Sequence, residues 1–130
     1  LSRMKRILIQ DKSLTPDAVD SLGDLVQEDF KGTLEIEAVQ CLGDARSDVT
    51  LYNLIISHPH LVPPFGDCCR SQIMKAHEKG IPIIFTYKVV WEEAEQLQAM
   101  SDDLAVPLFR RRELGYEFYT DLIRHLEGDF

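Results

Sequence analysis

Short apolar runs alternate along this chain with stretches in which apolar residues recur every three or four positions. Lys5-Arg-Ile-Leu-Ile-Gln10 is a compact apolar run and predicts a first strand. Thr15-Pro-Asp17 then supplies an N-cap, a proline suited to the first helical position and an acid for the first turn. Val19, Leu22, Leu25, Val26 and Phe30 follow at helical spacing, and Gly32 ends the helix. Leu34-Glu-Ile-Glu-Ala38 alternates with period two, as an edge or half-buried strand does. Gly43 to Thr50 is short and polar, so only a weak helix is expected there. Tyr52 to Ser57 predicts a third strand, and the proline-rich stretch His58 to Gly66 a loop. Asp67 is placed to cap a helix through Ile73, Met74 and His77, closed by Lys79-Gly80. Ile81 to Tyr87 reads as a fourth strand. Trp91, Ala94, Leu97 and Met100 mark a helix, Ala105 to Phe109 a short fifth strand, and Leu114, Phe118, Leu122, Ile123 and Leu126 a closing helix.

Strands alternating with helices imply βαβ crossovers and a parallel sheet covered on both faces. In such sheets chemistry gathers at the carboxyl ends of the strands, near the switch in strand order. That rule selects Gln10 to Ser13, Ser57 to His60, Thr86 to Lys88 and Phe109 to Arg112.

Length adds that 130 residues suit one domain with one core. Charge narrows the partners. With 14 basic against 22 acidic residues the net charge is −8, which argues against a duplex nucleic-acid surface, and the basic run Arg110-Arg-Arg112 is followed at once by Glu113. The apolar runs are too short to span a bilayer, no signal-peptide pattern opens the chain, and a cytoplasmic location is expected. Cys41, Cys68 and Cys69 lack Cys-x-x-Cys spacing and read as free thiols in a reducing compartment. No phosphate-binding glycine loop and no hydrolase elbow is present. His58 and His60 with Asp11 offer imidazole and carboxylate ligands but no third firmly placed group, so no metal site and no cofactor are assigned.

Taken in order, Arg6-Ile-Leu-Ile-Gln-Asp11, Tyr52-Asn-Leu-Ile-Ile-Ser-His58, Gly80-Ile-Pro-Ile-Ile-Phe-Thr86 and Val106-Pro-Leu-Phe-Arg110 resemble the response-regulator receiver (CheY-like) family. The resemblance covers residues 4–126 as a single domain, with 1–3 and 127–130 flanking it. It implies an α/β fold: a (βα)5 flavodoxin-like three-layer sandwich on a five-stranded parallel sheet. In that family the first strand ends in two acids that help hold Mg²⁺, the third in the aspartate that accepts phosphate, the fourth in Ser or Thr before a small residue, and the fifth in Lys before Pro. Here Asp11 keeps one acid, Lys12 replaces its neighbour, and His58 falls at the acceptor position, with Ser57 there in the alternative register. Thr86 matches the hydroxyl, Tyr87 replaces the small residue and would crowd the opening, and Arg110 stands near the lysine.

A working site presents several carboxylates to one lysine and attracts a hard dication. Asp11, Lys12, neutral His58 and Arg110 invert that balance to a net positive charge, so Mg²⁺ binding and the mixed-anhydride step have no starting point. The resemblance therefore implies a pseudo-receiver, not an enzyme, that acts by binding other signalling proteins, a kinase or effector domain, or itself. It contacts neither nucleic acid nor membrane. Tyr87, Trp91, Arg111 and Arg112 mark the candidate interaction face, and the chain is expected to be one module of a longer signalling protein. The alternatives are phosphotransfer on His58, or an anion or ligand sensor in the same pocket through Lys12 and Arg110.

Overall fold

The computed structural model describes residues 4–89 and 92–130. Five strands form one sheet: β1 Lys5–Asp11, β2 Leu34–Val39, β3 Leu54–His58, β4 Ile83–Lys88 and β5 Leu108–Arg111. All pairings are parallel, in the order β2-β1-β3-β4-β5. Four helices connect them among the described residues: α1 Pro16–Asp29, α2 Gly66–Glu78, α3 Ala94–Leu104 and α4 Tyr116–Leu126.

The alternation of side chains along each strand builds a core on either face. Ile7, Ile9, Leu54, Ile56 and Ile84 meet Leu22, Val26, Leu122 and Ile123 from α1 and α4. Leu8, Ile55, Ile83 and Phe85 meet Cys69, Ile73, Ala76 and Leu97 from α2 and α3. Burial of both faces explains why β1 and β3 read as unbroken apolar runs rather than alternating ones. Strand order turns back between β1 and β3, and right-handed crossovers then place α1 and α4 opposite α2 and α3. The strand ends at that switch are Asp11 and His58, which are register partners.

The local signals hold where they rest on backbone chemistry. Thr15 Oγ1 accepts the Ala18 N–H at 3.2 Å, with Pro16 opening α1. Gly32 and Gly80 stand at φ 81 and 76, where a Cβ is costly, and each ends its helix. Elsewhere the boundaries move. The region from Gly43 to Thr50 forms two 3₁₀ turns, Leu42–Asp44 and Val49–Leu51, instead of a helix. Strands β3, β4 and β5 start two or three residues later than their apolar runs suggest, since Tyr52, Ile81 and Val106 pack as buried or half-buried approaches to the sheet. Helix α2 opens at Gly66 behind Phe65, and Asp67 lies within its first turn rather than capping it. A Cβ at Gly66 would come within 2.6 Å of the Leu61 carbonyl carbon, so the loop closes onto the helix only without a side chain there. Leu25, included in the α1 stripe by spacing, is 52% exposed. No helix of the described residues is long and apolar enough to cross a membrane.

Candidate functional site

At the carboxyl ends of β1, β3 and β4, odd positions of β1 and even positions of β3 and β4 point to the α1/α4 layer. This parity carries Asp11, His58 and Thr86 into one place, and all three are fully buried. Taking a carboxylate out of water is expensive unless its oxygens are paired and hydrogen-bonded. Asp11 meets that condition completely. Tyr119 Oη, from α4, donates to Oδ2 at 2.7 Å. Ser13 donates twice to Oδ1, from its backbone N–H at 2.9 Å and from Oγ at 2.6 Å. His58 Nδ1 lies 3.2 Å from the same oxygen. A carboxylate only accepts, so Nδ1 carries the proton in that contact.

The electrostatics agree with the geometry. Burial pushes the Asp11 carboxyl up, but the hydrogen bonds from His58, Ser13 and Tyr119, with the electrostatic pull of the His58 ring, outweigh it. The net effect holds Asp11 below the usual carboxylate value. Tyr119 moves the other way: burial, the Asp11 charge and the hydrogen bond to it raise the phenol well above its ordinary value. Anion and phenol thus keep their roles as acceptor and donor across the neutral range.

Around this knot the sequence-selected residues divide. Tyr87 is 4% exposed and sets its ring edge-on to His58, with centroids 5.8 Å apart at 75°. Its hydroxyl donates to the Glu92 carbonyl at 3.2 Å. Tyr87 therefore roofs the cluster, and its placement on an exposed interaction face is corrected by that burial. Lys12 stands at the rim, where Nζ pairs with Glu93 at 3.0 Å and ties the end of β1 to the approach to α3. Ser57 faces the other layer and donates its hydroxyl to Gln10 Oε1, while Gln10 Nε2 reaches the Gln40 carbonyl. The alternative register that placed Ser57 in the pocket fails because β3 pairs Asp11 with His58. Arg110 is also corrected. It is exposed and donates to Gln98 Oε1 at 2.9 Å, because β5 ends with that side chain over α3 and not over the pocket.

The net positive pocket drawn from Asp11, Lys12, His58 and Arg110 is therefore not assembled. Lys12 is matched by Glu93 and Arg110 lies outside. Arg111 stacks near the rings of Phe109 and Phe118, at 5.7 and 5.6 Å, and Arg112 is exposed. Trp91 lies outside the described residues. Among the described residues no group of three or more His, Cys, Asp or Glu side chains is arranged to hold a metal ion.

Two contributors escaped the sequence reading, Tyr119 and Glu93, and Ser13 was reached only as the end of the Gln10 to Ser13 stretch, without its role. The only advance signal for Tyr119 is its place four residues before Ile123 on the inward stripe of α4, where the neighbouring Phe118 was read instead. Ser13, two residues after Asp11, has the spacing of a side chain that folds back on an aspartate.

No protein-family model matches the sequence, and no curated protein matches it. Two solved structures are similar. A response regulator protein from Burkholderia multivorans aligns over 97% of each chain at 16% identity, with a TM-score of 0.60. The response regulator DrrB from Thermotoga maritima, described as an OmpR/PhoB homolog, aligns over 98% of this chain at 10% identity and a TM-score of 0.61. This chain spans 54% of that longer one. With its parallel sheet, its strand order and its two helical layers, the chain has the flavodoxin-like α/β fold of response-regulator receiver domains.

Proposed function

We propose that this chain is a pseudo-receiver: a signalling domain of two-component type that docks other proteins without aspartyl-phosphate chemistry. One observation carries the reading. Asp11, the buried acid at the switch point, spends both oxygens on Tyr119, Ser13 and His58, and the residue opposite it on β3 is an imidazole rather than a carboxylate. Mg²⁺ needs several free oxygen ligands and parts with its waters reluctantly. A buried, saturated carboxylate offers it none without breaking the knot. His58 is fully buried with Nδ1 committed to Asp11; Nε2 has no hydrogen-bond partner, but its burial weighs against imidazole as a phosphate acceptor.

The likeness to response regulators supports partners of the signalling kind: a kinase, an effector domain or a second copy of the chain. A cytoplasmic setting goes with that reading, and the acidic balance of the chain weighs against nucleic acid. Intact mass after incubation with Mg²⁺ and acetyl phosphate or phosphoramidate tests it. The expected result is an unchanged mass under conditions that label an active receiver. A gain of one phosphate would overturn the reading, and its loss in His58→Ala would assign the acceptor. Saturable thermal stabilisation by a phosphate-containing ligand would instead favour a sensor.

A further inference from the structure

All three cysteines of the chain meet outside the polar pocket, at the junction of β2, the first 3₁₀ turn and α2. Cys41 immediately precedes that turn, and Cys68 and Cys69 lie in the first turn of α2. Gly43 marks their meeting point. A Cβ built on it would stand 2.9 Å from Cys68 Sγ and 3.9 Å from Cys41 Sγ, so both sulfurs border the space left by the absent side chain. Access separates the three: Cys68 is exposed, while Cys41 and Cys69 are buried. Burial pushes the Cys41 thiol up and that of Cys69 up to about 11, and these two buried thiols share a hydrogen bond, so of the three only Cys68 meets an oxidant from solvent. Cys68 and Cys69 are successive helical residues and point about 100° apart, so they do not face each other.

We propose that Cys68 and Cys41 form an oxidation-sensitive pair that peroxide closes into an intramolecular disulfide. In the first step the Cys68 sulfur attacks one oxygen of hydrogen peroxide. The O–O bond breaks, the other oxygen leaves as water with the thiol proton, and Cys68 becomes a sulfenic acid. The Cys41 sulfur then attacks the Cys68 sulfur. The S–S bond forms, the S–O bond breaks, and hydroxide leaves as water with the Cys41 proton. Two thiols are oxidised by two electrons and one peroxide is reduced to two waters. Gly43 gives the sulfurs room to meet, and the bridge pins the first 3₁₀ turn to the start of α2. That places an oxidant-dependent clamp at the start of α2, the helix that follows the His58 to Phe65 loop.

The test treats the purified chain with limiting hydrogen peroxide, alkylates the remaining thiols and measures intact mass. The expected product has lost two hydrogens and carries one alkyl group, and dithiothreitol restores the two hydrogens. Trypsin should then release peptide 32–46 joined to peptide 47–70, with fragmentation placing the link on Cys68. In Cys68→Ser, an exposed change that leaves the core intact, the link should be absent. In Cys41→Ser, Cys68 should stop as a sulfenic acid that dimedone traps. A link persisting in Cys68→Ser, disulfide-joined dimers in place of the internal bridge, or equal trapping of Cys68 with and without Cys41 would each overturn the proposal.

Discussion

Tyr119 illustrates how one side chain decides what the pocket can be. Its hydroxyl is the donor to Asp11 Oδ2, whereas Ser13 and His58 serve the other oxygen. Removing it in Tyr119→Phe leaves one face of a buried carboxylate bare. A hydrogen bond to a charged group contributes about 1.5–3 kcal/mol, and the variant should lose about that much in urea unfolding. The same knot gives stability a pH dependence whose sign follows from linkage. Asp11 is held below its ordinary value, so the unfolded chain takes up the proton first as pH falls. Its contribution is full above about pH 4 and declines below that. Tyr119 is held above its ordinary value, so its contribution is full below about pH 10 and fades at higher pH. Melting temperatures across acid pH should show a shallower decline in Asp11→Asn than in the unaltered chain. An identical slope in both would show that other carboxylates, such as Asp48 beside Lys75, carry the effect.

At the scale of elements, helix ends expose the difference between a local signal and a tolerated exception. Gly32 and Gly80 mark the ends of α1 and α2 and were readable from sequence, because glycine is the residue that reaches positive φ without strain. Helix α3 ends the same way at Ala105, with φ 55 and ψ 43, and its amide still returns to the Asp102 and Ser101 carbonyls. Nothing in the sequence marks that alanine as a cap. An L side chain in this conformation costs about 1 kcal/mol. Ala105→Gly should therefore raise the urea midpoint by up to about that amount, offset in part by the freer unfolded chain. Gly80→Ala should lower it by a similar margin. The segment between β2 and β3 shows the reverse case. Its polarity foretold a weak helix, and it became two 3₁₀ turns, with Leu42 and Val49 seated in the core, Ala45 packed against it, and Gly43, Asp44, Arg46 and Asp48 left exposed.

Over the whole molecule, the order of strands and helices was legible because it rests on local chemistry. Apolar runs long enough only for strands, a proline and an acid behind Thr15, and glycines after helical stripes each act within a few residues of themselves. Five such strands separated by helical stretches leave few compact arrangements besides a doubly covered parallel sheet. The strand ends that gather the buried polar cluster were legible for the same reason, since the ends of strands are where such a sheet collects its chemistry. Their chemistry was only half legible. Sequence places Asp11, His58, Thr86 and Tyr87 at strand ends, but side-chain parity in the paired strands decides that Ser57 turns to the opposite layer. The close of β5 sends Arg110 to Gln98, and the packing of α4 brings Tyr119 onto Asp11 from 108 residues away. Sequence alone therefore determined the alternation of elements, the acidic balance and the presence of an imidazole, His58, at the end of β3. The tertiary structure decided the saturation of Asp11 and the gathering of the three cysteines, because contacts between residues distant in the chain exist only once the layers have packed.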